Sequence, residues 1–195
     1  MRDMDPLSQL RGLIASLDEV LVDSLCARAR LHRNEKLYAL PDGPAPELNA
    51  LARPFAGVTT LAGRIHLLRP AYLRILLPAL CEDGNEDERS ACLAADANCL
   101  DALARRLALS VHVATRKREA IPEALQIAIQ TGEPARVEQA ITNAAVEAEV
   151  LARVQSRAVE HAPRKETPDQ IANLYIEWII PLSRKIQVFG LLATP

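Results

Sequence analysis

Apolar residues recur every three or four positions along most of this 195-residue chain, which is the spacing of one face of an α-helix. The repeat is most regular near the N-terminus, at Leu7, Leu10, Ile14, Leu17, Leu21 and Leu25. Asp5-Pro6 comes just before it, and an acidic residue followed by proline is typical of a helix start. The pattern predicts a long amphipathic first helix that ends near Tyr38.

The same spacing predicts helices over most of the remaining chain. They cover about 70–82, 87–119, Pro122 to Gly132, Pro134 to about His161, and Thr167 to about Leu192. Pro181 lies inside the last helix and should kink it, because proline has no N–H to donate to the preceding turn. Residues 41–63 contain clustered prolines and glycines, so we expect an irregular loop segment with a short helical turn.

The composition favours helices and excludes several other classes. Glycine occurs only 7 times and aromatic residues make up 3% of the chain, which argues against a β-sandwich or barrel. Hydrophobic residues at 49% and charged residues at 25% exclude a disordered chain. We therefore predict an all-α fold, a single-domain helical bundle over 1–195 with two long helices and a kinked C-terminal helix.

Charge and cysteine usage narrow the possible partners. The net charge of −2 lacks the basic surplus of a nucleic-acid-binding protein, so no nucleic acid is expected. The four cysteines form no CxxC pair and lie apart from the histidines, so no metal site is expected. No secretory signal is visible, and the longest apolar stretch is too short to span a membrane. We expect a cytoplasmic protein without a membrane partner.

Four predicted helices carry polar side chains on faces that should be apolar. Arg106 and Lys117 lie eleven residues apart, and eleven steps of about 100° return to nearly the same angle around a helix. Arg11 lies beside the apolar stripe of the first helix. Two further pairs are spaced four residues apart on one face, Asn143 with Glu147 and Ser183 with Gln187.

Each of these positions also has an ordinary structural explanation. Arginine and lysine near an apolar stripe often extend to water, and Glu147 can form an ion pair with Lys117 or Arg106. Together, however, the positions offer three cations against one carboxylate, and burying unpaired cations is costly. A ligand with two carboxylates would balance them. The pattern thus predicts a pocket for a small dianion inside the bundle, without a cofactor.

Three blocks of the chain resemble the all-helical chorismate mutases, and among them the eukaryotic-type subclass of fungi and plants. The blocks are DANCLDALARRL…VATRK at 96–117, ITNAAVEAEVL at 141–151 and IIPLSRKIQ at 179–187. The N-terminal Leu10-Arg11 and Leu17-Asp18-Glu19 are similar to the first helix of that family. The resemblance covers about 5–36 and 70–192.

The resemblance implies a catalytic role for five residues. Arg11 and Arg106 would bind the two carboxylates of chorismate. Lys117 would bridge a carboxylate and the ether oxygen of the bond that breaks, and Gln187 would donate a hydrogen bond to that oxygen from the other side. Glu147 would hold the ring hydroxyl.

The resemblance also implies how the rest of the site and the assembly are built. Asn143 and Ser183 would complete the substrate-binding shell. The reaction, chorismate to prephenate in phenylalanine and tyrosine biosynthesis, needs no cofactor or metal. A homodimer is implied, and Arg89, or Arg28, is an outside candidate for a contribution to a site.

The chain departs from the family pattern in three ways. It is shorter between the first two helices. Arg89-Ser90 stands where the family has a Gly-Ser effector pair, so activation by tryptophan and inhibition by tyrosine are expected to be absent or altered. Gln187 replaces the glutamate of many members. Two alternatives stay open, a lyase that releases pyruvate from isochorismate and an inert helical binding or regulatory protein.

Overall fold

The computed structural model describes residues 6–39, 43–119 and 121–193, with side chains from Gln9 onward. These residues form helices and loops without a strand, which confirms the predicted all-α class. The α-helices are α1 Pro6–Arg28, α2 Leu48–Gly57, α3 Leu61–Ala71, α4 Leu77–Leu80, α5 Arg89–Glu119, α6 Glu123–Thr131, α7 Pro134–Ile141, α8 Ala144–His161, α9 Thr167–Leu174 and α10 Ile180–Leu192. Short 3₁₀ and π turns occur at Glu35–Leu37, Tyr72–Leu76 and Tyr175–Ile179.

The first helix ends at Arg28, ten residues before the predicted end at Tyr38. Arg28 itself explains the stop, because its guanidinium donates hydrogen bonds to the carbonyls of the following loop, including that of His32 at 2.9 Å. Asn34 then adopts a left-handed backbone conformation with φ 49°, which an α-helix cannot contain. The hydrogen bonds from Arg28 to the loop therefore end the helix, although the spacing of apolar residues predicts that it continues.

The prediction of an irregular segment over 41–63 is wrong for its second half. Residues 40–42 lie outside the described part of the chain, but α2 occupies Leu48–Gly57 and α3 begins at Leu61. The apolar residues Leu51 and Phe55 are buried on one face of α2, despite Pro54 between them. Packing of this apolar face compensates for the N–H that proline lacks.

The helix predicted over 70–82 begins nine residues earlier, at Leu61. Thr60 starts it, because its hydroxyl accepts a hydrogen bond from the backbone N–H of Gly63. The π turn Tyr72–Leu76 follows and leads into α4, where Pro78 occupies the first turn. A second π turn, Tyr175–Ile179, stands just before Pro181. The interruption predicted at Pro181 is thus a π turn, which is a common cause of a bend.

The helix predicted from Pro134 to His161 is two helices, α7 and α8. They meet at Thr142 and Asn143, both with extended backbone conformations. The Asn143 side chain accepts a hydrogen bond from the Val146 N–H at 3.2 Å and so caps α8. The other predicted boundaries are confirmed closely, including the end of α6 at the left-handed Gly132.

Helix α5 is the centre of the bundle. It packs against α1, α3 and α10, while α8 lies against α1 and α2 lies against α10. Fully buried leucines of α1 and α5, such as Leu21 and Leu103, form the core together with Tyr72 and Tyr175. All four cysteines are buried and free. In the described residues, no helix is both long and apolar enough to cross a membrane.

Candidate active site

A cavity of about 480 Å³ opens between the helices that surround α5. Every residue that the sequence analysis placed in a binding site lines this one cavity: Arg11, Arg106, Lys117, Asn143, Glu147, Ser183 and Gln187. They come from α1, α5, α8 with its N-cap, and α10. Residues separated by as many as 176 positions in sequence therefore share one pocket, as expected for a ligand site inside a helical bundle.

Lys117 and Gln187 both line the cavity, and their side chains form a hydrogen bond with each other. The ammonium Nζ of Lys117 donates to the side-chain oxygen of Gln187 at 3.0 Å and to the Ile141 carbonyl at 3.2 Å. An ammonium has three N–H donors, so a third remains for a ligand. The contact also orients the Gln187 amide, because lysine can only donate and must face the oxygen.

The Gln187 nitrogen is held by its own helix. It donates to the Ser183 carbonyl at 3.3 Å, and its second N–H is left to donate elsewhere. The Ser183 hydroxyl lies 2.7 Å from the hydroxyl of Ser110, which also lines the cavity. Gln187 and Ser183 are each only 8% exposed, so α10 presents a buried and preorganised row of polar groups.

Arg106 is buried and forms an ion pair, so it is not one of the unpaired cations that the sequence analysis counted. Its Nε donates to a carboxylate oxygen of Asp18 at 2.6 Å, and the hydroxyl of Tyr175 donates to the same oxygen at 3.0 Å. Burial raises the pKa of Tyr175 well above its ordinary value, and the nearby Asp18 adds to this effect, so its hydroxyl stays a donor. Asp18 therefore holds the guanidinium of Arg106, and Tyr175 holds Asp18.

Asn143 and Glu147 share a helix start rather than a continuous helical face. Asn143 is exposed at the N-cap, where its side-chain oxygen accepts the hydrogen bond from the backbone N–H of Val146. Glu147, in the first turn of α8, pairs with Nη1 of Arg184 at 3.5 Å. The sequence analysis named Lys117 and Arg106 as the two possible ion-pair partners of Glu147. The partner in the structure is Arg184 instead.

The sequence analysis missed several charged residues of the cavity. Arg153, Arg184 and Glu149 also line it, so the described lining has five cations and two carboxylates. Arg184 follows Ser183 directly on α10, and its position between two predicted site residues was the available signal. Asp18 and Glu138 pair with Arg106 and Arg184 from outside the lining, and the positive charge that remains still supports the predicted preference for an anionic ligand.

The two outside candidates of the sequence analysis do not reach this cavity within the chain. Arg28 is fully buried elsewhere, where its Nε donates to Asp96 at 2.7 Å. Arg89 is exposed at the first residue of α5 and is absent from the lining.

Comparison with known proteins identifies the family. The family model for chorismate mutase type II matches residues 89–188, which is more than half of the chain. The chorismate mutase of Emericella nidulans is 30% identical over 138 residues, covering 62% of this chain and 52% of that protein. The chain thus spans about half the length of this relative. The chorismate mutase of Schizosaccharomyces pombe is 27% identical over 188 residues, covering 84% and 74%.

The fold has close counterparts among solved structures. The chloroplast chorismate mutase from Zea mays superposes with a TM-score of 0.75, covering 98% of this chain and 96% of that one. Sequence identity to it is 20%, so this likeness concerns the fold.

Proposed function

The chain belongs to the chorismate mutase type II family, and we propose that it is a chorismate mutase, an isomerase that converts chorismate to prephenate. One observation carries the proposal. Seven side chains from four helices line one cavity of about 480 Å³ in which positive charge exceeds negative charge. Chorismate carries two carboxylates, one ring hydroxyl and one ether oxygen, and the lining offers a suitable partner for each.

The proposed reaction is an intramolecular rearrangement. The ether C–O bond of the enolpyruvyl side chain breaks while its methylene carbon bonds to the ring, and no atom enters or leaves. Catalysis therefore consists of holding the side chain over the ring and stabilising charge that grows on the ether oxygen. Arginine, lysine and amide donors fixed in a cavity can supply both effects.

Lys117 and Gln187 are the proposed donors to the ether oxygen. Each keeps one N–H free after its contacts within the protein, and the hydrogen bond between them holds both at one place. Donors that are already in position stabilise the transition state without reorganising during the reaction.

The remaining side chains are the proposed binding groups. Arg11 and Arg106 take the two carboxylates, because a guanidinium binds a carboxylate with two parallel hydrogen bonds. Glu147 accepts from the ring hydroxyl, and Asn143 and Ser183 complete the shell around the substrate.

A continuous assay tests this function. Purified protein is mixed with chorismate, the loss of its absorbance is followed, and prephenate is identified as the product. A parallel reaction with isochorismate, in which released pyruvate is measured, tests the lyase alternative. Turnover of neither substrate, with no shift of the melting temperature by a dicarboxylate transition-state analogue, would leave the inert binding protein as the explanation.

We expect activity to change little between about pH 5 and 8, because Gln187 donates a hydrogen bond at any ordinary pH. Gln187→Glu should make kcat fall as the pH rises through this range, since a glutamate must be protonated to donate. The fall should approach roughly tenfold per pH unit above the carboxyl pKa. A steep loss of kcat in the unmodified enzyme from pH 5 to 7 would contradict the role of Gln187.

At alkaline pH we expect kcat/KM to fall with an apparent pKa below 10.5, the ordinary value for lysine. Burial lowers the pKa of Lys117, and the charge of Arg11 lowers it further. A pH profile of kcat/KM reports the free enzyme. In the pH profile of kcat, the alkaline loss of activity should occur at a higher pH, because the bound dianionic substrate favours the protonated form of Lys117. Identical alkaline limbs in both profiles would argue against contact between Lys117 and substrate.

We further propose that the protein works in the cytoplasm as a homodimer in aromatic amino acid biosynthesis, and that the described helices form one domain with the rest of 1–195. Arg89-Ser90 at the start of α5 supports altered effector regulation. Sedimentation of the purified protein checks the dimer, and assays with added tryptophan or tyrosine check the regulation.

A further inference from the structure

Arg184 is a cavity residue to which the proposed catalysis gives no task. It follows Ser183 and precedes Gln187 by three positions on α10, and it is half-buried at the cavity wall. Its guanidinium lies between two carboxylates, with Nη1 3.5 Å from Glu147 and Nε 3.8 Å from Glu138. Arg184 thus connects α7, α8 and α10 at the edge of the site.

Glu147 depends on this contact. Within the described residues, the contact with Arg184 at 3.5 Å is the one ion pair of Glu147, although its charge also attracts the more distant ammonium of Lys117. A glutamate has three rotatable bonds, so a carboxylate in a cavity can turn toward water unless a partner holds it. Arg184 is that partner, and it draws the carboxylate to the α10 side of the cavity.

Glu138 holds Arg184 in turn. Its second oxygen accepts from the ammonium of Lys185 at 3.1 Å, so the glutamate is clamped by two consecutive residues of α10. Lys185 has nearly the same exposure as Arg184, at 24% against 26%. Among the residues that the structure describes, it pairs only with Glu138, and it is absent from the cavity lining. Both anionic neighbours of Arg184 are thus protein carboxylates, at ion-pair rather than hydrogen-bond distance, and its buried Nε makes no hydrogen bond within the described residues.

We propose that Arg184 is a positioning residue that aims the Glu147 carboxylate at the ring hydroxyl of the substrate and so makes the cavity select a hydroxylated ring. This inference rests on the proposed function. A hydroxyl that donates to a fixed carboxylate forms a strong hydrogen bond, whereas a ring lacking that hydroxyl leaves the carboxylate without a donor. Without Arg184 the carboxylate loses its fixed direction, and the preference for the hydroxyl disappears with it.

The test compares two substrates in matched variants. The substrates are chorismate and the analogue in which hydrogen replaces the ring hydroxyl. The variants are Arg184→Gln, Arg184→Lys, which keeps the charge, and Lys185→Gln, which removes a neighbouring cation that also touches Glu138. Melting temperatures are measured for all, and Arg184→Met replaces Arg184→Gln if the latter does not fold.

In unmodified enzyme and in Lys185→Gln, kcat/KM should favour chorismate by about tenfold or more, the scale of a hydrogen bond to a charged group. Arg184→Gln should reduce that ratio to within about threefold by losing activity on chorismate alone, and Arg184→Lys should restore most of it. An equal loss on both substrates would overturn the inference, because it would mean that Arg184 binds a carboxylate or merely supports the fold. An unchanged ratio would overturn it too.

A binding measurement separates this inference from the proposed function. Bicyclic dicarboxylate analogues of the transition state, with and without the hydroxyl, are titrated into each variant by calorimetry, which needs no turnover. A hydroxyl-dependent affinity that is lost in Arg184→Gln supports the inference even if chorismate is not converted. Failure of the unmodified protein to bind either analogue would reject both proposals.

Discussion

Lys117→Ala is expected to lower kcat by at least about a hundredfold while the protein stays folded, because removal of one donor to a developing oxyanion costs about 2.7–4 kcal/mol. The ammonium lies on the cavity wall between Gln187 and the Ile141 carbonyl. Alanine takes away the donor proposed for the ether oxygen. The protein should stay folded, because removing a half-buried charge offsets the loss of the two hydrogen bonds that the ammonium donates.

The neighbouring position provides the control for Lys117→Ala. Arg116→Ala removes a cation one residue earlier on α5, where the side chain is half exposed and pairs with Glu119 at 2.6 Å outside the cavity. Steady-state kinetics should give Arg116→Ala the turnover of the unmodified protein. Near-normal turnover by Lys117→Ala, with unchanged circular dichroism for both variants, would reject the proposed role of Lys117.

The largest loss of stability is expected from Asp96→Ala, which should lower the free energy of unfolding by about 3–5 kcal/mol. Asp96 accepts from the fully buried Arg28 at 2.7 Å and from the hydroxyls of Tyr72 and Tyr38. Alanine leaves a buried guanidinium without its counter-charge and two hydroxyls without an acceptor. Because small domains are stable by only about 5–15 kcal/mol, this is a large part of the total.

Asp101 gives a matched control on the same helix. It pairs with Arg105 at 2.7 Å, but both side chains are about half exposed, and exposed pairs contribute little because water screens them. Urea unfolding should show a much lower midpoint for Asp96→Ala and an unchanged one for Asp101→Ala. The Asp96→Ala protein that remains folded should keep its KM, because Asp96 does not line the cavity. Equal midpoints for the two variants would contradict a buried ion pair.

The sequence predicted helices well where local signals decide them. The end of α6 at Gly132 and the long α5 follow from conformational preference and apolar spacing, which act over a few residues. The predicted helix boundaries were wrong where a side-chain contact or a contact distant in sequence determines them. Arg28 ends α1 by binding loop carbonyls, and Asn143 separates α7 from α8 by capping. Prolines before and within α2 suggested a loop, although the segment is helical and buries Phe55.

For the candidate site, the sequence likewise predicted one part, the residues of the lining, and not the other, their interaction partners. Polar residues at helical spacing were sufficient to select seven residues that line one cavity. The periodicity of a helix fixes the face of six of them, and Asn143 caps one of the same helices. The partners of those residues could not be selected. Asp18 lies 88 positions before Arg106, and Glu147 and Arg184 come from different helices. Which charges meet depends on how the helices pack.

The sequence by itself determined that the chain is helical and which polar side chains line the cavity, since both depend on local spacing and composition. The tertiary structure alone decided the charge balance of the cavity. Arg106, an unpaired cation by sequence, is neutralised by Asp18, and Arg184 joins the lining with a bound Glu147. Electrostatic interaction depends on distance in space rather than along the chain, so only the folded bundle assigns each charge its partner.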